Sequence, residues 1–281
     1  MKPRPAAGRR LANLVVSSLA TGSALLGMLI LAWIVWVVVS RGLGAFNLAF
    51  FTQLPTPPGM EGGGLANAIV GTLVMTLLAT LVAVPLGLMA GVYLAEFAQG
   101  SRLADNTRFS ANVLIGMPSI IIGIFAYALV VVPLGRFSGY AGIVALAIIM
   151  LPIAARTTED MLRLVPNTLR EAALALGAPR WRITLSIVFR AAKAGLITGI
   201  LLAVARVSGE TAPLLFTALN SPYMMTSLGQ PTPNLTVTIF NYAMSPYPDW
   251  QQKAWGASLL ITGGVLALTL FTRHTLRERK T

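Results

Sequence analysis

The chain has no cysteine and a single histidine, His274. Disulfide staples are excluded, and the redox compartment cannot be read from thiols. A His/Cys metal centre is excluded with them. Charge is scarce: 11% of the residues are Asp, Glu, Lys or Arg, against about 25% in an ordinary soluble domain. There is no Gly-x-x-x-x-Gly-Lys-[Ser/Thr] loop to cradle the phosphates of ATP. His-Glu-x-x-His and Gly-x-Ser-x-Gly are also missing, which argues against two kinds of membrane-anchored hydrolase.

What is present is apolar sequence: 56% of the residues are hydrophobic and the mean hydropathy is +0.75. Uncharged runs cover 11–40, 62–95, 109–135, 137–155 and 254–272. A sixth apolar stretch, 194–219, is broken only by Arg206 and Glu210. A bilayer crossing takes about 20 such residues. The expected fold is all-α and polytopic, with six transmembrane helices. The first run is about twice the length of a cleavable signal core, so it reads as an anchor.

The net charge of +12 is unevenly placed. With the N-terminus inside, four Lys/Arg fall in 1–13, two in 96–108, seven in 156–193 and four in 273–281. Only Arg41, Arg136 and Lys253 fall on the other side, and Arg206 lies between. This asymmetry is the positive-inside pattern and puts both termini in the cytoplasm. It accounts for the basicity without nucleic acid.

Taken in order, 1–13 is a cytoplasmic tail, and 14–64 holds the first span and an outer loop rich in Pro and Gly. Trp33 and Trp36 mark the outer end of that span. The second span, 65–95, repeats Thr72, Thr76 and Thr80 on one face. That face is expected to pack a neighbouring helix, with the lining of a polar path as the alternative. Pro85 is expected to kink this helix. The third span, about 109–132, carries GMPSIIIG at 116–123, so a kink or broken turn is expected at Pro118 and Ser119. The fourth span is about 140–155. The sixth is about 254–271, before a tail at 273–281.

The segment 156–193 is charged and water-facing. The helical pattern fits one piece over 158–164 and a second through Glu171-Ala172-Ala173. Gly177 supplies the permissive backbone that ends a helix, and Pro179 suits the first turn of the next. Trp181, Leu185 and Val188 are expected on one face of that last piece. Small residues after a glutamate, followed by a sharp turn, make a shape that fits a partner's cleft.

The fifth span, from about residue 195, holds Arg206 near mid-depth and Glu210 one turn on, on the same face. A charge at a helix centre costs about 2.5–3.5 kcal/mol on an insertion scale, so this face must turn toward protein or a wet path. Two readings stand: a structural ion pair, or a guanidinium that meets a passing oxyanion while Glu210 orients it. Pro213 is expected to disrupt the helix just beyond. The segment 220–252 is expected outside, as a surface helix or cap.

Glu171-Ala172-Ala173, Gly177 and Ile187 match the EAA loop of ABC importer permeases, although Phe189-Arg190 stands where its usual final Leu-Pro would be. The strings ARVSGETAPLLFTA, GMPSIIIGIFAYALVV and SPYPDWQQKAW resemble phosphate-specific permeases of the PstA type, in order across about 65–272. The resemblance implies a type I ABC importer permease domain over 65–272, with 156–193 as its EAA loop. It implies that Glu171, Ala172, Ala173 and Gly177 couple to an ATPase, and that 220–252 faces a binding protein. It further implies a second permease (PstC type), two ATPase subunits (PstB type) that use ATP and Mg, a periplasmic phosphate-binding protein (PstS type), and residence in the bacterial inner membrane. The chain itself is expected to bind no cofactor. Rival expectations are another oxyanion (molybdate, sulfate or phosphonate), a proton-coupled secondary transporter using Arg206 and Glu210, and a membrane scaffold.

Overall fold

The computed structural model describes residues 6–98 and 100–277. Lys2, Arg4, Arg279 and Lys280, which enter the charge argument, lie outside the described residues. Thirteen α-helices are described: α1 (Ala6–Gly42), α2 (Leu48–Thr52), α3 (Ala66–Val92), α4 (Arg102–Gly116), α5 (Ser119–Ala126), α6 (Val132–Leu134), α7 (Gly139–Arg163), α8 (Asn167–Ala175), α9 (Arg180–Ile183), α10 (Phe189–Ser208), α11 (Ala212–Leu215), α12 (Leu235–Ala243) and α13 (Pro248–Arg277). A π turn, Tyr93–Phe97, continues α3, and others join α5 to α6 and α9 to α10. Five helices are long and apolar enough to cross a membrane, and the pair Arg102–Gly116 and Ser119–Leu134, bent by 105°, brings the number to six when counted as one span.

The centre of the bundle is the contact of α3 with α7. Gly71, Met75, Ala79, Ala83, Gly87 and Gly91 recur every four residues of α3 and are all buried. Small side chains let the backbones approach: a Cβ on Gly87 would stand 2.6 Å from that of Ala154. The threonine stripe expected to do this lies one residue over and is only half-buried. Thr72 instead caps α12, its hydroxyl accepting from the Leu235 amide at 2.8 Å. Helix α3 runs through Pro85 without interruption.

Two further expectations are corrected, and one is met. The third span, whose first helix begins at Arg102, carries the expected break. It breaks at Met117–Pro118 with a 105° bend, because proline drives the residue before it out of the α region, and Met117 has ψ 136°. The separate helix expected over 158–164 is the last turn and a half of α7, which continues through Pro152 to Arg163. Trp181 and Leu185 do not share a buried face with Val188. Both are exposed, and Ile183, Thr184 and Val188 face inward, since the π turn at 184–188 shifts the register.

Within the segment 220–252, α12 is packed into the bundle and does not lie free on its surface. Leu235, Thr236, Val237, Thr238 and Tyr242 of α12 are buried, against α3, α11 and α13. Asn234 sets this helix by accepting from the Val237 amide at 2.9 Å. In contrast, the apolar stretch of α1 has no residue buried within the chain. It meets the bundle along α13, where Gly42 lies against Trp255 and Leu259.

Candidate transport site and docking loop

Helix α10 fixes the depth of Arg206. Gly195 lies against Met161 and Gly199 against Thr157, so this part of α10 sits beside the last turns of α7. From Gly139 to Thr157 α7 rises about 27 Å, close to the ~30 Å hydrocarbon thickness. Helix α10 continues from Gly199 only to Ser208, about 14 Å. It therefore stops about halfway along α7, with Arg206 in its last turn. Carbonyl dipoles at a helix C-terminus favour a cation there.

Glu210 is not on the helix, contrary to the expected shared face. Gly209 caps α10, and Glu210 belongs to the irregular chain that follows. The two charges still approach, with Arg206 Nε 3.9 Å from Glu210 Oε1. Half of the Arg206 side chain is exposed and 14% of that of Glu210.

The second half of the fifth crossing, 209–218, is broken backbone with one short turn, α11. Non-helical chain at this depth must find partners within the protein, and it does. The Thr236 hydroxyl donates to the Glu210 carbonyl at 2.9 Å. The Asn234 amide donates to Leu219 O at 3.0 Å, and the Ser138 and Thr232 amides donate to Thr217 O and Ala218 O, each at 3.0 Å. Pro213 opens α11 and packs on Gly123. The two breaks foreseen from Pro118-Ser119 and Pro213 thus lie on elements that touch, α5 and α11.

At the end of the bundle that carries 156–193, α8 spans Asn167–Ala175 and Gly177 adopts φ +79°. Glu171 and Ala172 are exposed, Ala173 is buried, and Leu176 is 88% exposed. Glu171 also lines a cleft of about 370 Å³ with Glu96, Arg170, Leu174 and Arg180. Arg170 anchors α8: it donates to Glu96 at 2.7 Å, to Val165 O at 2.6 Å and to Leu162 O at 2.8 Å.

Sequence reasoning missed Glu159. Its carboxylate is fully buried and takes Arg108 at 2.7 Å, Arg156 at 2.7 Å and Arg163 at 2.9 Å. The signal available was the spacing of Arg156 and Arg163 around Glu159 on one helix face. Nothing local points to Arg108. Among the described residues no group of three or more His, Asp or Glu comes together to hold a metal.

This arrangement is that of a type I ABC importer permease. The methionine ABC transporter MetNI in an inward-facing form superposes with a TM-score of 0.63 at 21% identity, over 76% of this chain and 95% of that one. A bacterial alginate importer superposes with a TM-score of 0.63 at 13% identity, over 97% and 100%. Residues 83–275 match the family model of binding-protein-dependent transport system inner membrane components. The chain belongs to that family and is a multi-pass inner-membrane transport component. Among similar proteins is the phosphate transport system permease protein PstA of Yersinia pestis, 48% identical over 98% of this chain and 93% of that protein. Its namesakes in Haemophilus influenzae and Mycobacterium tuberculosis H37Rv are 46% and 36% identical, over 97% and 93% of this chain and 96% and 86% of theirs.

Proposed function

We propose that this chain is a permease subunit of an ATP-driven importer that moves inorganic phosphate across the bacterial inner membrane. The observation that carries the substrate is the near-full-length identity, 45–48%, to several proteins named for phosphate transport. Both termini and the 156–193 segment face the cytoplasm, as the basic residues dictate. Glu171, Ala172, Ala173 and Gly177 dock an ATPase subunit, which uses ATP and Mg; the chain itself binds no cofactor. A second permease (PstC type), ATPase subunits (PstB type) and a phosphate-binding protein (PstS type) complete the system.

Arg206 is the anion contact, and Glu210 orients it. The character of the pair supports this reading over a structural one. Its single contact is long, at 3.9 Å, whereas the fully buried Glu159 carboxylate holds three arginines at 2.7–2.9 Å. A guanidinium fork left free at mid-depth suits a tetrahedral oxyanion. Pro118, Ser119 and Pro213 supply the breaks that let this region open.

The test is uptake of radiolabelled phosphate into proteoliposomes that hold the co-purified complex, with ATP inside and binding protein outside. Accumulation should need both. Molybdate, sulfate and phosphonate should compete poorly. Uptake by the isolated chain without nucleotide would overturn the reading in favour of secondary transport, and preferential competition by another oxyanion would replace phosphate.

A further inference from the structure

We propose that Arg108 and Glu159 are positioning residues that pass displacement of the docking loop on to the broken third crossing. The proposal rests on the importer reading above. Glu159 lies on α7 and already has two guanidiniums from its own helix, Arg156 and Arg163. Neutralising one carboxylate does not call for a third. Arg108 comes from α4, 51 residues away in sequence, and its role is geometric.

Arg108 divides its donors among three elements. Nε goes to Glu159 on α7 at 2.7 Å, Nη1 to Asp105 on α4 at 2.8 Å, and Nη2 to Leu94 O at 3.0 Å. Leu94 belongs to the π turn Tyr93–Phe97 that ends the α3 crossing. The same turn carries Glu96, which Arg170 of the docking helix α8 holds at 2.7 Å. Two arginines from different elements therefore grip one π turn. Such turns carry an i→i+5 ladder and often mark functional sites.

The line continues outward from α4. Its fifteen residues form a stiff rod of about 22 Å, ending at the Met117–Pro118 break. Beyond the break, α5 packs on α11 at Gly123 and Pro213, three residues from Glu210. A contiguous set of short polar contacts and close-packed backbone thus runs from α8 to the charged pair. An arginine fork suits this task because it fixes direction as well as distance, which a lysine ammonium does not.

The experiment measures phosphate moved per ATP hydrolysed by the reconstituted complex, for the wild type, Arg108→Gln and Arg108→Lys. Glu159 keeps Arg156 and Arg163 in both variants, so its charge stays paired. Arg108→Gln should lower the ratio about tenfold while hydrolysis continues, and Arg108→Lys about threefold, within the usual range for residues between coupled sites. An unchanged ratio, or uptake and hydrolysis falling by the same factor, overturns the proposal and leaves Arg108 a plain fastener. If Arg108→Gln is not recovered in the complex, the Lys variant decides by the same criterion. A wild-type complex that moves phosphate without hydrolysis would instead refute the importer reading, so the two failures are distinguishable.

Discussion

Gly123 and Pro213 are in backbone contact: a Cβ built on Gly123 would lie 2.7 Å from the Cα of Pro213. Gly123 lies on α5, which follows the Pro118 break, and Pro213 opens α11, which follows the break at Gly209, so the two broken crossings meet at this point. Gly123→Ala should force the strands of chain apart and destabilise the complex by about 1–3 kcal/mol, as overpacking does. Phosphate uptake should fall with it. Gly116→Ala, at a glycine with nothing within 4 Å, is the control and should leave both thermal stability and uptake near wild type.

At Arg206 the expected effect is on transport, not on folding. Arg206→Lys keeps the charge but loses the planar fork. Initial uptake rates should drop by about tenfold or more, equivalent to about 1.4 kcal/mol, while the amount of assembled complex is unchanged. Loss of assembly in this variant would return the pair to a structural role.

Gly177 has a positive φ of 79° and open space around it. A side chain there meets no neighbour, so the cost is backbone strain of about 1–2 kcal/mol. Gly177→Val should distort the turn after α8 and leave ATP hydrolysis uncoupled from uptake. Gly177→Asn, which tolerates the left-handed region, should retain most of the coupling. The ratio of solute to ATP separates the two.

Tyr242 is stacked on Trp250 at 4.2 Å, and burial, with Asp249 nearby, pushes its hydroxyl up to about 12. Its folded value lies above the unfolded value near 10, so its contribution to stability is whole below about pH 10. That contribution is lost as pH rises from 10 through 12. In a spectrophotometric titration of phenolate absorbance, Tyr242 should ionise in a late phase near pH 12. Tyr242→Phe should abolish that late phase.

Reporter fusions check the orientation. Fusions at Trp181 and Tyr242 should report opposite sides of the membrane. Same-side signals would overturn the arrangement of crossings.

The six crossings, the turn at Gly177 and the charged pair were legible because each depends on composition or on residues close in sequence. Hydropathy counts spans, and a glycine after a short helix announces its own turn. What stayed hidden depends on long-range packing. The residues around Pro118 announce a kink or broken turn, but not a bend as large as 105°. Glu210 fitted a helix that in fact ends at Ser208, because Gly209 and the contacts from Ser138, Thr232 and α12 favour an irregular path. Thr72 looked like a packing residue until α12 folded inward to use its hydroxyl. Arg108 and Glu159, 51 residues apart, had no shared pattern to reveal them.

The bend at Met117–Pro118 also bears on the lipid. The limb beyond it, Ser119–Leu134, is sixteen residues, about 24 Å long. That is some 6 Å less than an average hydrocarbon slab. The remainder must come from the adjoining end of α4 or from local thinning of the acyl layer. Membrane thickness thereby becomes an operating variable for this subunit, and longer-chain phospholipids should press directly on its weakest crossing.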